Sequence, residues 1–270
     1  MTDKYAVIGN PIAHSKSPLI HEAFAKQTGQ DISYERILAP LDGFEATVRD
    51  LIAKGYQGAN VTVPFKFEAF KLCEALNDLA KAAGAVNTMV FDRDEIQGAN
   101  TDGAGLVTDI VKNFAYILQG KRLLLLGAGG AAQGVILPLL EKQPESLIVA
   151  NRTIAKAEAM VSKQVKSKVL PLARTFDGLV GQFDIIINAT STGLTDTALP
   201  IPNTIFAKGC LAYDMMYGRE TPFMKQAREN GAQVADGLGM LVEQAAEAFY
   251  IWRGVRPETQ SVIQQIRKLA

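Results

Sequence analysis

Three polar residues lie in or just after an apolar run that is typical of a buried strand. The segment NVTVPFK begins at Asn60, places Thr62 two residues later and ends at Lys66. Alternate residues of a strand share a face, so Asn60 and Thr62 should point the same way and need partners, either protein groups or a hydroxylated ligand. Pro64 ends the predicted strand, and Lys66 follows at the edge where open α/β sheets bind ligands. Its ammonium could stabilise negative charge on a substrate oxygen, although a loop lysine is most often solvated.

An acid at Asp102 is the candidate partner for this lysine. It lies in the segment GANTDG, and a new series of strand, glycine loop and helix begins after this segment. We therefore place a domain boundary near Thr101–Asp102. The carboxylate could orient Lys66, could cap a helix predicted to begin at Gly103, or could do both. We predict that Lys66 and Asp102 form the catalytic pair.

A glycine-rich segment, GAGGAA at residues 127–132, follows an apolar strand and begins a helix, as a dinucleotide-binding loop requires. Gly127 would allow the tight turn, Gly129 the approach of a pyrophosphate, and Ala132 the close packing of helix on strand. The free N–H groups of the helix N-terminus would bind the phosphate oxygens. The alternative is a glycine-rich turn without a ligand. The motif predicts cofactor contacts at Gly127, Ala128, Gly129, Gly130 and Ala131.

The strand after this loop ends in Asn151, Arg152 and Thr153, with Lys156 shortly beyond. NAD sites usually place an acid at this strand end to bind the ribose 2′-hydroxyl, and an acid would repel a 2′-phosphate. Arg152 could instead pair with that phosphate, and Thr153 could donate its hydroxyl. A solvated arginine beside a helix-capping threonine is the alternative. Taken with the glycine loop, the pattern predicts NADP rather than NAD.

The elements that must position these residues alternate between strand-like and helix-like segments, which predicts an α/β fold with mainly parallel sheets. We expect a strand at GANVTV, residues 58–63, and a hairpin around the polar turn at residues 92–95. Ser17 is the predicted N-cap of the first helix, with Pro18 at its first position. We assign residues 1–101 to one domain and 102–239 to a second. The final helices, 240–270, could close the second domain or pack back on the first.

The composition excludes several classes of function. The 270 residues carry 28 basic and 28 acidic side chains, so there is no basic footprint for nucleic acid or a membrane surface. Two cysteines and two histidines form no metal-ligand pattern, so we expect no metal, and the cysteines are expected to be buried thiols in a reducing cytoplasm. The apolar stretch at residues 123–140 approaches the length of a membrane span, but its glycines, Gln133 and Pro138 favour strand, loop and helix.

Eight segments together resemble the shikimate dehydrogenase family, in the order in which that family carries them. They are GNPIAHSKSP, GANVTVPFK, GAVNT, GANTDG, GAGGAA, NRT, NATSTG and DGLGMLVEQAA, and they run from Gly9 to Ala246. The resemblance implies NADP-linked reduction of 3-dehydroshikimate to shikimate in aromatic amino-acid biosynthesis. It also implies an N-terminal substrate domain, a C-terminal Rossmann-type NADP domain, an active site in the cleft between them, and final helices that return to the substrate domain.

The same resemblance implies roles for individual residues. Ser15 and Ser17 would hold the substrate carboxylate, and Lys66 would reach the reacting oxygen. The ring hydroxyls would contact Asn60, Thr62, Asn87, Asp102 and Gln244, with Tyr217 as a further substrate residue. Further cofactor contacts would come from Thr190, Ser191, Met215, Gly239 and Met240. Many members carry an arginine where this chain has Lys156, so a second contact with the 2′-phosphate would be weaker.

The chemistry of carbonyl reduction suits these residue types, because hydride must reach carbon while the oxygen gains a proton or a stabilising charge. Whether Lys66 supplies the proton or only the charge stays open. Two other functions also stay open: a quinate/shikimate dehydrogenase of broader specificity and a non-catalytic NADP-binding protein. A different small-molecule reductase on the same plan is a third. We expect a small-molecule substrate, no nucleic-acid or membrane partner, and a monomer or homodimer.

Overall fold

The structure is a computed structural model that describes residues 2–92, 95–165 and 167–269. The chain divides into two compact units, Met1–Gly105 with Leu241–Ala270, and Leu106–Met240. Each unit contains one six-stranded sheet with helices packed against it. The predicted two-domain α/β class, with a parallel Rossmann-like sheet in the second unit, is confirmed.

The first unit is built on a mixed sheet in the order β2-β1-β3-β5-β6-β4. β1 pairs parallel with β2 and β3, whereas β5 pairs antiparallel with β3 and β6. The predicted hairpin is β5 and β6, and its turn residues Arg93 and Asp94 lie outside the described residues. The elements are β1 Asp3–Gly9, α1 Ser17–Thr28, β2 Ile32–Leu38, α2 Phe44–Ala53, β3 Tyr56–Val61, α3 Lys66–Leu72, β4 Ala75–Leu76, α4 Asp78–Ala83, β5 Thr88–Asp92, β6 Glu95–Ala99 and α5 Asp102–Thr108.

Two local predictions in this unit were wrong. Strand β3 ends at Val61 rather than at residue 63, because a turn closed by the N–H of Phe65 on the carbonyl of Thr62 follows at once. Val63 is therefore 62% exposed instead of facing the sheet. Helix α1 begins at Ser17, so Lys16 is its N-cap and Ser17 is not.

The second unit has an all-parallel sheet in the order β12-β11-β10-β7-β8-β9. The chain moves from β7 outward to β8 and β9, then returns to β10 on the other side of β7. The residues Leu123–Leu126 of β7 are fully buried, as a strand covered on both faces requires. The elements are β7 Arg122–Leu126, α6 Gly130–Glu141, β8 Ser146–Ala150, α7 Ile154–Val161, β9 Leu172–Arg174, β10 Phe183–Asn188, β11 Phe206–Asp214, α8 Pro222–Glu229 and β12 Gln233–Ala235.

The C-terminal segment forms helices α9, Leu238–Arg253, and α10, Gln260–Arg267. From Leu241 onward it belongs to the first unit. Trp252 Nε1 donates to the carbonyl of Met89 in β5 at 3.0 Å, and Arg253 forms an ion pair with Asp3 in β1 at 2.5 Å. These contacts attach the end of α9 to two separate strands of the first sheet.

The apolar stretch at residues 123–140 divides into β7, the glycine loop and α6. Across residues 2–92, 95–165 and 167–269, no helix combines the length and apolarity that a membrane crossing would take.

Candidate active site

The predicted catalytic pair is an ion pair within the first unit. Lys66 begins α3 and Asp102 begins α5, and the Lys66 Nζ lies 2.5 Å from Oδ2 of Asp102. The side chains are 24% and 10% exposed, so the pair is largely shielded but the ammonium retains access to solvent. The N–H of Asp102 donates to Oδ1 of Asn100 at 3.1 Å, which fixes the start of the helix. Asp102 is thus the first helical residue and not a cap for a helix that begins at Gly103.

Asn87 connects this ion pair to two other chain segments. Its Nδ2 donates to the free oxygen of Asp102, Oδ1, at 2.9 Å. The same amide nitrogen lies 2.9 Å from Oγ1 of Thr101 and 3.3 Å from Oε1 of Gln244 on α9. Its Oδ1 accepts the N–H of Thr101 at 2.9 Å. Both oxygens of the Asp102 carboxylate therefore have donors, and its orientation is fixed.

Asn60 extends the same set of hydrogen bonds into the sheet. Its Nδ2 donates to the carbonyl of Asn87 at 3.2 Å and to Oγ1 of Thr88 at 3.1 Å. Its Oδ1 accepts the hydroxyl of Tyr34 at 2.6 Å. Because both amide hydrogens are engaged, the remaining capacity of the side chain is one lone pair on Oδ1. Thr62 directly follows the end of β3, and its N–H donates to the carbonyl of Ile8 in β1 at 2.9 Å.

The two serines lie at the start of α1. The hydroxyls of Ser15 and Ser17 are 3.2 Å apart, and the N–H of Ser17 donates to Oγ of Ser15 at 3.3 Å. Arg36 holds the backbone of this turn by donating from Nε and Nη2 to the carbonyl of Ser15 at 2.9 and 2.7 Å. Burial raises the pKa of Tyr34 well above its usual value, and a hydrogen bond with Ser17 offsets only part of that increase. The Tyr34 hydroxyl therefore stays protonated between Ser17 and Asn60.

His21 supports this side of the sheet. Its imidazole is fully buried and stacks on the ring of Tyr34 with the centroids 4.2 Å apart and the planes 7° from parallel. Within the described part of the chain, neither imidazole nitrogen has a hydrogen-bond partner. Burial lowers the pKa of His21 to about 3, so the ring is neutral. The role of His21 is to support the Tyr34 ring by packing.

We call these connected residues the polar network of the first unit: Tyr34, Asn60, Lys66, Asn87, Thr88, Thr101, Asp102 and Gln244. The structure brings together the predicted residues Asn60, Lys66, Asn87, Asp102 and Gln244. Sequence reasoning missed Tyr34, Thr88 and Thr101. Thr101 could have been found from its position directly before Asp102 in the motif GANTDG. No periodic pattern in the sequence indicates Tyr34 or Thr88.

The predicted cofactor residues lie in the second unit, beginning with the loop after β7. Gly127 has a φ of +103°, and a Cβ there would lie 3.1 Å from the carbonyl oxygen of Ala189. Its N–H donates to the carbonyl of Ala150 at 2.7 Å. Both the positive φ of Gly127 and the close approach of Ala189, which follows β10, therefore require glycine.

Gly129 and its neighbours form the start of α6. Gly129 is the N-cap, and a Cβ built on it would meet no atom within 4 Å. Gly129 and Ala131 are exposed, whereas Ala132 is fully buried against the sheet. The first-turn N–H groups of the helix thus face open space of the kind that a pyrophosphate needs, and the residues fit a dinucleotide.

The residues after β8 also fit a phosphate-bearing cofactor. Asn151 Nδ2 donates to the carbonyl of Thr153 at 2.8 Å, which shapes the turn. Arg152, Thr153 and Lys156 are exposed, and Thr153 is the N-cap of α7 without using its own hydroxyl as the cap. Two cationic side chains and a hydroxyl are therefore free to contact a 2′-phosphate.

The remaining predicted cofactor residues follow the ends of β10, β11 and β12. Asn188, fully buried at the end of β10, accepts both the N–H and the hydroxyl of Thr190 at 3.1 and 2.7 Å. Its carbonyl accepts the N–H of Met215 at 3.0 Å. Ser191 is exposed beside Thr190. Gly239 and Met240 lie at the start of α9. Tyr217, which was predicted to contact the substrate, lies half-buried after β11, where burial raises its pKa.

Three family descriptions match successive parts of the chain. "Shikimate dehydrogenase substrate binding domain" matches residues 7–89, "Shikimate / quinate 5-dehydrogenase" matches residues 106–195, and "Shikimate 5'-dehydrogenase C-terminal domain" matches residues 237–267. The first match contains Lys66 and Asn60, and the second contains the glycine loop.

Similar proteins also span the whole length. The Shikimate dehydrogenase (NADP(+)) of Methylobacillus flagellatus is 62% identical over 98% of this chain and 99% of its own. The structure of an Ael1 enzyme from Pseudomonas putida is 46% identical with a TM-score of 0.94, covering 98% of both chains. Shikimate 5-dehydrogenase from Thermus thermophilus, solved with NADP(H) and shikimate, is 29% identical with a TM-score of 0.86, covering 100% of both. On these similarities, the chain belongs to the shikimate dehydrogenase family.

Proposed function

We propose that this protein catalyses the reversible, NADPH-dependent reduction of 3-dehydroshikimate to shikimate, a step of aromatic amino-acid biosynthesis. The observation that carries the proposal is the Lys66–Asp102 ion pair, held by Asn87 and Gln244 within a unit that matches the substrate-binding domain of the family. A non-catalytic NADP-binding protein would not need the Lys66 ammonium to be both paired with Asp102 and partly accessible to solvent.

The substrate residues divide by chemistry. Ser15 and Ser17 offer two adjacent hydroxyls to a carboxylate, with the turn braced by Arg36. Asn60 offers an acceptor lone pair, which suits the O–H of a ring hydroxyl. Further hydroxyl contacts are assigned to Thr62, Asn87, Asp102, Gln244 and Tyr217.

The cofactor residues suit NADP. The first turn of α6 would bind the pyrophosphate through the exposed N–H groups near Gly129, and Arg152 would pair with the 2′-phosphate, assisted by Thr153, Asn151 and Lys156. The nicotinamide end would contact Thr190, Ser191, Met215, Gly239 and Met240. When bound, NADPH supplies the hydride that the carbonyl carbon gains.

The side chains of the first unit account for the other half of the reaction. As the C=O π bond breaks, the substrate oxygen gains negative charge, and the Lys66 ammonium stabilises that charge from the protein side. Asp102 holds Nζ in place and accepts a substrate hydroxyl, while Asn87 keeps the carboxylate from rotating. In the reverse direction, the same groups hold the hydroxyl whose proton departs.

The substitution Lys66→Arg separates the two roles of the lysine. Arginine keeps the positive charge but cannot release a proton in a protein, because its pKa exceeds about 12. If Lys66 transfers the proton, Lys66→Arg should be as inactive as Lys66→Ala. Substantial recovery of kcat with arginine would assign Lys66 to charge stabilisation alone.

One assay tests the proposed function. Purified protein is incubated with NADP⁺ and shikimate, quinate or no second substrate, and NADPH absorbance is followed. Turnover with shikimate alone supports the proposal, and comparable turnover with quinate would assign the broader shikimate/quinate activity that one matching family description names. Binding of NADP⁺ without turnover on either acid would contradict the proposal and favour the non-catalytic alternative.

We further propose that the protein acts in the cytoplasm as a monomer or homodimer. Cys73 and Cys210 are buried free thiols, and burial raises the pKa of each to about 12, so neither is poised for disulfide exchange. Light scattering coupled to size exclusion would decide the oligomeric state, and a larger assembly would contradict this part.

A further inference from the structure

A buried acid in the second unit has no part in the function proposed above. Asp109 follows α5 and is 1% exposed. Its Oδ2 accepts the hydroxyl of Tyr213 at 2.6 Å, and its Oδ1 accepts Nδ2 of Asn113 at 2.8 Å. A buried carboxylate is costly unless donors satisfy it, so these contacts hold Asp109 in one orientation.

The same two side chains contact the first residues of α9. The N–H of Met240 donates to the hydroxyl oxygen of Tyr213 at 3.3 Å. A Cβ on Gly239 would overlap the carboxylate of Asp109, so the backbone of this residue lies directly against the acid. The carboxylate also lies near the positive end of the α9 macrodipole, which stabilises a negative charge.

The position of this contact in the sheet gives it a functional meaning. Tyr213 is at the carboxyl end of β11, and Met240 lies in the segment that follows β12. In a doubly wound sheet, the dinucleotide crosses the edge formed by the carboxyl ends of the strands, at the point where the strand order reverses. Here that point lies between β7 and β10. If Arg152 after β8 holds the 2′-phosphate on one side, the residues after β10, β11 and β12 would hold the nicotinamide half on the other.

The segment after β12 is also held by its neighbours at this edge. The N–H of Gly237 donates to the carbonyl of Met216 at 2.9 Å, and a Cβ on Gly237 would overlap the carbonyl of Met215. The loop after β11 and the segment 237–240 therefore pack as one layer, and Asp109 and Tyr213 support that layer from inside the unit.

We propose that Asp109 and Tyr213 are positioning residues that hold the Gly239–Met240 segment where the nicotinamide end of the cofactor binds. This inference rests on the proposed NADP-linked function. Asp109 and Tyr213 are 1% and 0% exposed, so neither would contact the reacting atoms. Their effect passes through the backbone of Gly239 and Met240, so their loss should disturb the nicotinamide end and spare the adenosine end.

The test uses Tyr213→Phe, which removes only the hydroxyl, in the full-length protein. Calorimetry measures Kd for NADP⁺ and for 2′,5′-ADP, which has the phosphate-bearing adenosine end without the nicotinamide. We expect kcat for shikimate oxidation to fall about 10- to 100-fold, since small misplacement of a reacting group has effects of this size. We expect Kd for 2′,5′-ADP to change by less than about twofold, because that end is distant from the substitution, while Kd for NADP⁺ rises.

Tyr116→Phe is the matched control. Its hydroxyl also makes hydrogen bonds within the second unit, to the carbonyl of Gly209 at 3.2 Å and to Gln233 at 3.0 Å, and these partners lie on β11 and β12 rather than in the segment 237–240. It should leave kcat and both dissociation constants unchanged. Gly239→Ala is the second test variant: its added methyl group would meet the Asp109 carboxylate, so it should reproduce the Tyr213→Phe pattern.

Three outcomes overturn the inference. Tyr213→Phe could keep wild-type kcat and NADP⁺ affinity, it could weaken 2′,5′-ADP and NADP⁺ equally, or Tyr116→Phe could have the same effects. Failure of the proposed function looks different, because the wild type itself would then show no shikimate-dependent turnover. The binding comparison between NADP⁺ and 2′,5′-ADP still tests the positioning role in that case.

Discussion

The polar network of the first unit and the glycine loop of the second unit offer different groups to a ligand: side chains in the network and mainly backbone in the loop. The network is built from side chains that already satisfy one another, with Asn87 joined to Asp102, Thr101 and Gln244. The loop has few side chains to contribute; Gly127 is required by its backbone, and Gly129 faces open space. Removing a polar group should therefore impair the polar network. Adding atoms to the glycine loop, or removing the exposed charge beside it, should impair cofactor binding.

The largest effect is expected for Lys66→Ala in the polar network. Loss of the ammonium removes the charge beside the substrate oxygen and leaves Asp102 unpaired, so kcat should fall about 10²- to 10⁴-fold. KM for shikimate should change far less, because the interaction is strongest when the oxygen carries charge. Steady-state kinetics of shikimate oxidation provide the measurement.

Lys71→Ala is the control for this experiment, since Lys71 is an exposed lysine on the same helix, α3. It should behave as the wild type. A large increase in KM with kcat intact for Lys66→Ala would reduce Lys66 to a binding residue.

On the cofactor side, Arg152→Ala should narrow the preference for NADP over NAD. A charge-assisted hydrogen bond is worth about 1.5–3 kcal/mol, so kcat/KM for NADP⁺ should fall about 10- to 100-fold. NAD⁺ lacks the 2′-phosphate and serves as the internal control, with an unchanged kcat/KM. An equal decrease in kcat/KM with both cofactors would show that Arg152 does not bind the 2′-phosphate.

His21 should make the stability of the first unit depend on pH. The unfolded chain protonates this imidazole near its ordinary pKa of 6.5, whereas the folded state does so only at about 3. Between these values the unfolded state binds the extra proton, so the free energy of unfolding falls as the pH falls, by about 1.4 kcal/mol per pH unit. Above 6.5 the ring is neutral in both states and contributes no pH dependence.

The substitution His21→Phe tests this dependence while keeping a ring against Tyr34. Urea unfolding across the acid range should give a shallower loss of stability for the variant than for the wild type, whatever the offset between them at neutral pH. His21→Leu provides a second apolar replacement should the larger ring fold poorly. Parallel pH profiles for wild type and both variants would contradict a neutral buried imidazole.

The smallest effect is expected for Tyr34→Phe. The hydroxyl donates to Asn60 at 2.6 Å, and its loss should lower the free energy of unfolding by about 1 kcal/mol. Tyr250→Phe, at a 44% exposed position on α9, is the control and should change stability by less than about 0.5 kcal/mol. Equal values for the two variants in urea unfolding would mean that the Tyr34 hydroxyl does not brace Asn60.

The same contrast explains how much the sequence could predict. The glycine loop is local: its strand, turn and helix are consecutive, so the pattern predicts both the turn at Gly127 and the buried contact of Ala132. The polar network joins residues far apart in the chain. Tyr34 on β2 contacts Asn60 on β3 across the intervening strand β1, and Gln244 contacts Asn87 from the C-terminal segment, so no periodicity indicates either contact.

Local errors arose where a short-range contact replaced the expected one. At the start of α1 the backbone is already helical at Lys16, with φ of −87° and ψ of −6°, and the hydroxyl of Ser15 accepts the N–H of Ser17. Ser17 therefore could not serve as the cap. Strand β3 ends at Val61 and the N–H of Phe65 closes a turn on the carbonyl of Thr62, so Lys66 begins a helix rather than lying in a loop.

The attachment of Trp252 and Arg253 to the first sheet has a consequence for biosynthesis of the protein. A ribosome completes residues 106–240 before it adds the segment that supplies Gln244, Trp252 and Arg253 to the first unit. Until then the carbonyl of Met89 in β5 lacks the donor that the Trp252 indole supplies at 3.0 Å. Since domains fold as units during synthesis, the cofactor-side unit can mature first. The unit that holds Lys66 and Asp102 would then acquire its full set of contacts only once the segment after Met240 has been synthesised.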